Sequence, residues 1–464
     1  MSPWLIVWYA FLVLGYLLAA TLVAQVVREQ RSPAGTIAWL LVIVLMPYVG
    51  VPLYLLIGGQ KVRRLVSRKA DLEWPTYQER LPSDLFYVDR LFRERGLSGV
   101  TVGNHLKLCR TGEEAFDEMV GLIGRARESI HITTFRLAND DVGRAVIDRL
   151  AARAREGVKV RLLMDDVGSI GANRRFLRPL VQAGGETAFF MPVLRIPMRG
   201  RTNLRNHRKM VVVDEQVVMA GGANIAWEYM GPQPESRRWR DLMFVIEGPA
   251  VQEYASIFRA DWGFAKGQAF ELSFRPATTA PVSPGGAVLQ VIPSGPDVPG
   301  NPLYEMLLSA IFWARRRLWI VTPYFVPDET LAKALIIAAH RDVDVRLLVP
   351  EKSNLRLVDW ARTPYLRDLR SAGGRILLYT PGMMHAKAML MDDSLAVIGS
   401  ANMDMRSLML NYEVMMLAFS ELEIQATGNW MADLMADTRP LNEESVSVWR
   451  EFGEGLVRMM APLL

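Results

Sequence analysis

Two short stretches carry residues that could do chemistry together. "NHRKMVVVD", Asn206 to Asp214, sets His207 and Lys209 two apart and closes on Asp214. "MHAKAMLMD", Met384 to Asp392, repeats the pattern with His385, Lys387 and Asp392. Gly221, Gly222 and Asn224 follow the first copy, and Gly399, Ser400 and Asn402 follow the second. Each Asn lies 17 residues past its histidine. A single H-x-K arises by chance in many chains. Two copies with matching downstream residues, in a chain with five histidines, point to one shared chemistry.

That chemistry fits a phosphate. On a strand, residues i and i+2 face the same side, so each His projects beside its Lys. Lysine binds phosphate oxygens as a compact point charge. The glycines let backbone approach a ligand, and Asn224, Asn402 and Ser400 are candidate phosphate contacts. Two such faces brought together surround one phosphorus with two imidazoles and two ammonium groups, and need no metal or cofactor. One imidazole can attack phosphorus while the other protonates the leaving alcohol and later deprotonates the incoming one. An imidazole in this role needs a carboxylate on its other nitrogen. Asp241 and Glu413, 34 and 28 residues past the histidine of their own half, are the candidates. Asp214 and Asp392 complete the candidate catalytic set, but at the far ends of their strands they read as turn anchors or local ion pairs. His105, His131 and His340 have no such context and read as structural or exposed.

The elements that must position these residues recur in the same order. Helix and strand patterns run from Phe116 and Val142, and again from Leu303 and Leu331, with near-identical strands "VKVRLLM" and "VDVRLLV". Helices alternating with continuous apolar strands imply an α/β protein with two pseudo-symmetric halves and mostly parallel sheets. The expected organisation is a helical hairpin over 1–60, a connector over 61–105, a first half over 106–274, a Pro/Gly-rich linker over 275–286 and a second half over 287–464.

No charged side chain occurs from Met1 to Val27, and a second uncharged run covers Ser32 to Gln60. Each is long enough for a bilayer core of roughly 30 Å, although Pro47, Gly50 and Pro52 allow a kink or re-entrant shape in the second. No basic residue precedes the first run, which argues against a signal peptide. Lys61, Arg63, Arg64, Arg68 and Lys69 follow the second run and place both the N-terminus and the large C-terminal part in the cytoplasm. Lys and Arg number 54 against 49 Asp and Glu, a net charge of +5, which suits an anionic partner. The single cysteine, Cys109, rules out an internal disulfide and a cysteine metal cluster. The stretch from Arg195 to Lys209 is basic and free of acids, so Arg195, Arg199, Arg201 and Arg205 are candidate contacts to an anionic leaflet, each adding about 1 kcal/mol.

H-x-K-x4-D followed by G-[GS]-x-N, present twice, resembles the phospholipase D superfamily. "SPAGTIAWLL", "MPYVGVPLYLLIGG", "GGANI" and "SANMDMRSLMLNYEV" look like the membrane-anchored bacterial cardiolipin synthases, and the likeness covers essentially the whole chain. The resemblance implies a multi-pass inner-membrane phosphatidyltransferase that joins two phosphatidylglycerol molecules into cardiolipin and free glycerol. It also implies that His207 is the nucleophile and His385 the acid/base. Gly222 stands where the superfamily often has Ser, so that half lacks a serine hydroxyl. A hydrolytic phosphodiesterase, a phosphatidylserine synthase and a membrane scaffold are the competing readings. The hairpin favours lipid over nucleic acid as substrate.

Overall fold

The computed structural model describes residues 3–28, 33–54, 69, 86–94, 96–192, 204–267, 286–442 and 453–454. Two compact units divide the chain, one holding the helices before Lys69 and the other nearly everything after it. The linker expected over 275–286 lies outside the described residues except for Gly286, as does most of the connector.

Helix α1 spans Pro3–Arg28, α2 Pro33–Leu45 and α3 Pro47–Leu53. The second apolar run is broken at Met46, whose φ of −133° and ψ of 61° interrupt the helix before Pro47. This is the expected effect of proline on the residue before it. Ala19, Leu22 and Val26 of α1 pack with Ile43, Val51 and Tyr54, and the Trp39 ring meets Tyr54 edge-on at 5.3 Å. Side chains of α1 are described continuously only from Gly15, and among the described residues no helix is long and apolar enough to cross a membrane.

The second unit is built on one large sheet. Its first half supplies β1 (Thr101–Cys109), β2 (Ser129–Thr134), β3 (Lys159–Asp165), β4 (Glu186–Phe190), β5 (Met210–Val213), β6 (Val217–Gly221) and β7 (Met243–Glu247). The second half supplies β8 (Ala287–Ser294), β9 (Arg317–Val321), β10 (Phe325–Val326), β11 (Asp344–Pro350), β12 (Arg375–Tyr379), β13 (Ala388–Met391), β14 (Leu395–Gly399), β15 (Met403–Asp404), β16 (Glu413–Ala418) and β17 (Thr438–Pro440). From the middle outward the order is β1-β7-β6-β5-β2-β3-β4 on one side and β8-β16-β14-β13-β9-β11-β12-β17 on the other, joined where β1 pairs with β8. The second side repeats the first strand for strand and adds β17. Helices cover the sheet, and the same devices start matching ones: Asp140 caps Asp141–Arg155 and Asp328 caps Glu329–His340, each accepting a backbone N–H.

The sheet is mixed, not mostly parallel. Within the large sheet parallel pairing is confined to β2-β3-β4 and β9-β11-β12, and every other neighbour is antiparallel; β10 and β15 form a separate two-stranded parallel sheet. The strands following each H-x-K are hairpins. β5 and β6 are joined only by Asp214, Glu215 and Gln216. Asp214 and Glu215 have φ of 52° and 53°, and Gln216 N–H returns to Val213 O at 3.0 Å, the geometry of a tight turn matched to strand twist. β5, β13 and β14 are buried throughout. Burial of both faces makes the apolar run continuous whichever way its neighbours point, which is why the run itself suggested parallel strands.

Candidate active site

His207 and Lys209 immediately precede β5, and His385 and Lys387 immediately precede β13. Each His backbone is clamped by the opposite half: His207 N–H donates to Tyr412 O at 2.9 Å, and His385 N–H donates to Arg240 O at 2.6 Å. The residue after each of those carbonyls is a carboxylate. His207 Nδ1 lies 2.9 Å from Glu413 Oε1 and 3.0 Å from Oε2, and His385 Nδ1 lies 2.7 Å from Asp241 Oδ2. Both expected carboxylates are thus on imidazoles, but crosswise, each on the histidine of the other half and not its own. A carboxylate accepts from Nδ1–H, which leaves the Nε2 lone pair of His207 for a ligand and sets that of His385 within 3.2 Å of Lys387 Nζ. Both histidines line one cavity of about 340 Å³, together with Phe135, Tyr229, Trp239 and Tyr324.

The two carboxylates are supported differently. Ser400 Oγ donates to Glu413 Oε2 at 2.6 Å and accepts from Val414 N–H at 3.0 Å. Ser400, expected at the phosphate, is bonded to the orienting carboxylate. At the matching position in the first half, a Cβ on Gly222 would overlap the Asp241 carboxylate. The missing serine is thus space taken by a shorter, closer acid. Asn224 lines the cavity, with Oδ1 accepting from Arg136 N–H at 3.2 Å and its side chain bonded to Tyr229. Asn402 also lines it and donates to Ser407 Oγ at 3.2 Å.

Asp214 and Asp392 are turn anchors. Asp214 accepts from the backbone N–H groups of Arg127, Glu128 and Ser129 at 2.7 to 2.8 Å. Asp392 accepts from those of Arg315, Arg316 and Arg317 at 2.8 to 3.0 Å. Each ties the hairpin turn to the entry of the neighbouring parallel strand. Among the described residues neither carboxylate is in a side-chain ion pair, the other expectation.

Arg195, Arg199 and Arg201 lie outside the described residues. Arg205, expected at a lipid surface, is buried. Its guanidinium pairs with Asp165 Oδ1 at 3.3 Å, because the chain turns inward there to deliver His207. Asp165, missed in the sequence, also accepts from Asn206, Val167 and Gly168 N–H. Lys69, counted in the basic flank, is likewise buried and paired with Asp261 and Asp297. Asp261 in turn takes two bonds from Arg208 Nη1, at 2.8 and 2.9 Å, and one from Asn206. This network holds the strand of His207. Residue 386, between His385 and Lys387, is alanine, so the second copy has no such clamp. His131 is buried and stacked on Phe258 at 4.6 Å, while His105 and His340 are exposed.

Electrostatics leave both imidazoles neutral in the unliganded site. Burial pushes His207 down to about 4 against the pull of Glu413. Burial and the Lys387 charge push His385 down to about 3. Burial alone would raise the two carboxyls. Lys387 and His385 outweigh it at Asp241, and His207 and Lys209 outweigh it at Glu413, so both stay below the usual carboxylate range. Burial lowers both lysines, Lys387 to about 8. Its Nζ sits against the His385 ring, 2.6 Å from Nδ1 and 3.2 Å from Nε2.

The domain described as "Cardiolipin synthase, PLD-like domain" matches residues 119–262 and 307–435, and the phospholipase D–nuclease N-terminal segment matches 17–59. Cardiolipin synthase 1 of Bacillus anthracis is 34% identical over 94% of this chain and 90% of its own length. The major cardiolipin synthase of Bacillus subtilis is 31% identical over 98% of both. A phosphatidylserine synthase of Haemophilus influenzae shares the fold at a TM-score of 0.58, with 16% identity over 81% of this chain and 98% of its own. With the two H-x-K strands meeting in one cavity and relatives matched along nearly the full length, the chain belongs to the cardiolipin synthases of the phospholipase D superfamily.

Proposed function

We propose that the site moves a phosphatidyl group from one phosphatidylglycerol to another, by the following steps. His207 Nε2 attacks phosphorus, the bond from phosphorus to the headgroup glycerol breaks, and His385 gives the departing oxygen its proton. Glycerol leaves, and the phosphatidyl group stays on His207. A hydroxyl of a second phosphatidylglycerol then yields its proton to His385 and attacks phosphorus. The phosphorus–nitrogen bond breaks and cardiolipin forms. The supporting observation is the crossed pair of imidazole–carboxylate contacts around one cavity, which gives two differently supported histidines to two different jobs. In the unliganded site the proton that His385 needs resides on Lys387, beside its ring, and the phosphate charge draws it onto the imidazole. Lys209 stabilises the phosphorane charge, and Lys387, neutral once its proton has moved to His385, contributes only as a hydrogen-bond donor.

The N-terminal unit anchors this site to the membrane as a helical hairpin, with the catalytic unit on the cytoplasmic side of the bacterial inner membrane. At 1.5 Å per residue the 26 residues of α1 reach about 39 Å. Leu17, Ile37, Leu41 and Leu45 are exposed on a bundle whose core is already filled, which suits hydrocarbon and not water. Leu355, which lines the cavity, and Leu357 and Trp360 just after it in sequence are exposed as well. They suit a mouth that meets lipid.

Purified full-length protein incubated with phosphatidylglycerol alone should give cardiolipin and glycerol in equal amounts. Phosphatidic acid as the only lipid product would reject the transfer reading in favour of hydrolysis. Resistance of the protein to alkaline carbonate extraction checks the anchor, and full release would reject it.

A further inference from the structure

The first-half wall of the cavity carries a cation that the reaction steps above leave unused. Arg136 lines the cavity, and its side chain is 40% exposed. Its backbone is fixed at both ends. The N–H donates to Asn224 Oδ1 at 3.2 Å, and the carbonyl accepts from Thr134 Oγ1 and Ile225 N–H, each at 3.1 Å. Phe135, the residue before it, meets the His207 ring edge-on at 5.1 Å. The guanidinium reaches the other way, with Nη2 donating to Glu228 Oε1 at 2.9 Å. Glu228 directly precedes Tyr229, whose ring meets His385 edge-on at 5.1 Å. Arg136 therefore runs from the side of one histidine toward the other, and its Nε and Nη1 donate to no described residue. The matching wall of the second half has no such charge. Thr322 Oγ1 donates to Tyr324 O as Thr134 Oγ1 does to Arg136 O, so Tyr324 stands in the place of Arg136. Its hydroxyl donates to Asn354 Oδ1 at 2.6 Å.

A one-sided cation suits a reaction whose two lipids play different parts. The donor offers the phosphorus under attack, whose charge Lys209 meets. The acceptor brings a hydroxyl to His385 and, across the carbons of its headgroup, a second phosphodiester charge. Glycerol and water bring no such charge. A guanidinium with open N–H groups answers it, because charge-assisted hydrogen bonds to phosphate oxygens are short and strong. We infer that Arg136 is an acceptor-phosphate site, which binds the phosphodiester of the incoming phosphatidylglycerol and so selects that lipid over glycerol or water. This rests on the phosphatidyl-transfer reading and adds a second anion site to the one at the histidines.

The test is competition for the phosphatidyl group held on His207, between an acceptor with a phosphate and one without. Full-length enzyme in mixed micelles with phosphatidylglycerol receives a fixed concentration of deuterated glycerol. Mass spectrometry then gives the ratio of cardiolipin to labelled phosphatidylglycerol. Arg136→Gln should lower that ratio at least about ten-fold, the cost of losing hydrogen bonds to a charged group. Arg136→Lys, which keeps the charge, should restore part of it. Glu228→Gln, which breaks the ion pair but keeps the cation, should not lower it. Loss of folded enzyme or of His207 alignment lowers both products together and leaves the ratio alone. A ratio unchanged in Arg136→Gln, or lowered as far by Glu228→Gln, overturns the site while leaving the transfer reading intact. A wild type that makes no cardiolipin and incorporates no label overturns the transfer reading itself.

Discussion

His207 takes its orienting carboxylate from Glu413, 206 residues away, with Nδ1 at 2.9 Å from Oε1. The reciprocal contact joins His385 to Asp241 across 144 residues. Each half therefore completes the other's imidazole, and neither half alone contains an oriented histidine.

Removing the charge at Glu413 should impair catalysis more than binding. Glu413→Gln is expected to lower kcat by about 10²–10⁴-fold with little change in KM, by analogy with the loss of a triad carboxylate. Ser400→Ala, which removes only one bond to that carboxylate, should cost about ten-fold. Steady-state cardiolipin formation measures both. Equal losses from the two substitutions would mean that Ser400 acts on the substrate directly.

The glycine at 222 is dictated by Asp241. Gly222→Ala should displace that carboxylate and reduce activity to near that of Asp241→Ala, because the added Cβ has no free space. The double variant should then be little worse than either single one, which a double-mutant cycle on kcat would show.

Asp214 and Asp392 should matter to stability, not to chemistry. Each accepts three backbone N–H groups, so Asp214→Ala or Asp392→Ala is expected to destabilise the fold by about 2 kcal/mol or more. The kcat per folded molecule should fall by less than ten-fold. Chemical denaturation combined with active-site titration separates the two effects. A large kcat loss at unchanged stability would return these residues to the reaction.

The pH profile follows from the lysines and histidines of the free site. Lys387, lowered to about 8, is charged below that pH and neutral above it. The proton and charge it supplies are thus lost as pH rises through about 8, and kcat/KM should fall there. On the acid side His207, lowered to about 4, stays neutral and nucleophilic until pH approaches 4, so no loss is expected near 6.5, where an ordinary histidine titrates. Initial rates from about pH 3.5 to 9.5 test both limbs, and a decline centred at 6.5 contradicts the assignment.

Much of the site could be read locally. The i, i+2 period of a strand puts each His beside its Lys whatever surrounds it. The tight turn explains Asp214 and Asp392, and the repeated spacing announced two matching halves. The strands read as parallel from "VKVRLLM" and "VDVRLLV" are parallel, because a helix must carry the chain back before the next one. The hairpins after each H-x-K were missed, since burial on both faces erases the alternation that marks an antiparallel strand.

The amino-acid sequence by itself determined which residue types sit beside one another in each H-x-K, through periodicities that act over a few positions. Only the tertiary structure decided their partners: Glu413 with His207 and Asp241 with His385, Ser400 turned to a carboxylate, Arg205 and Lys69 drawn inside. Those choices depend on contacts between residues from about 13 to more than 200 positions apart. The two imidazole–carboxylate pairs arise from the packing of the halves against each other, the others from folding within the catalytic unit, and no local pattern encodes either.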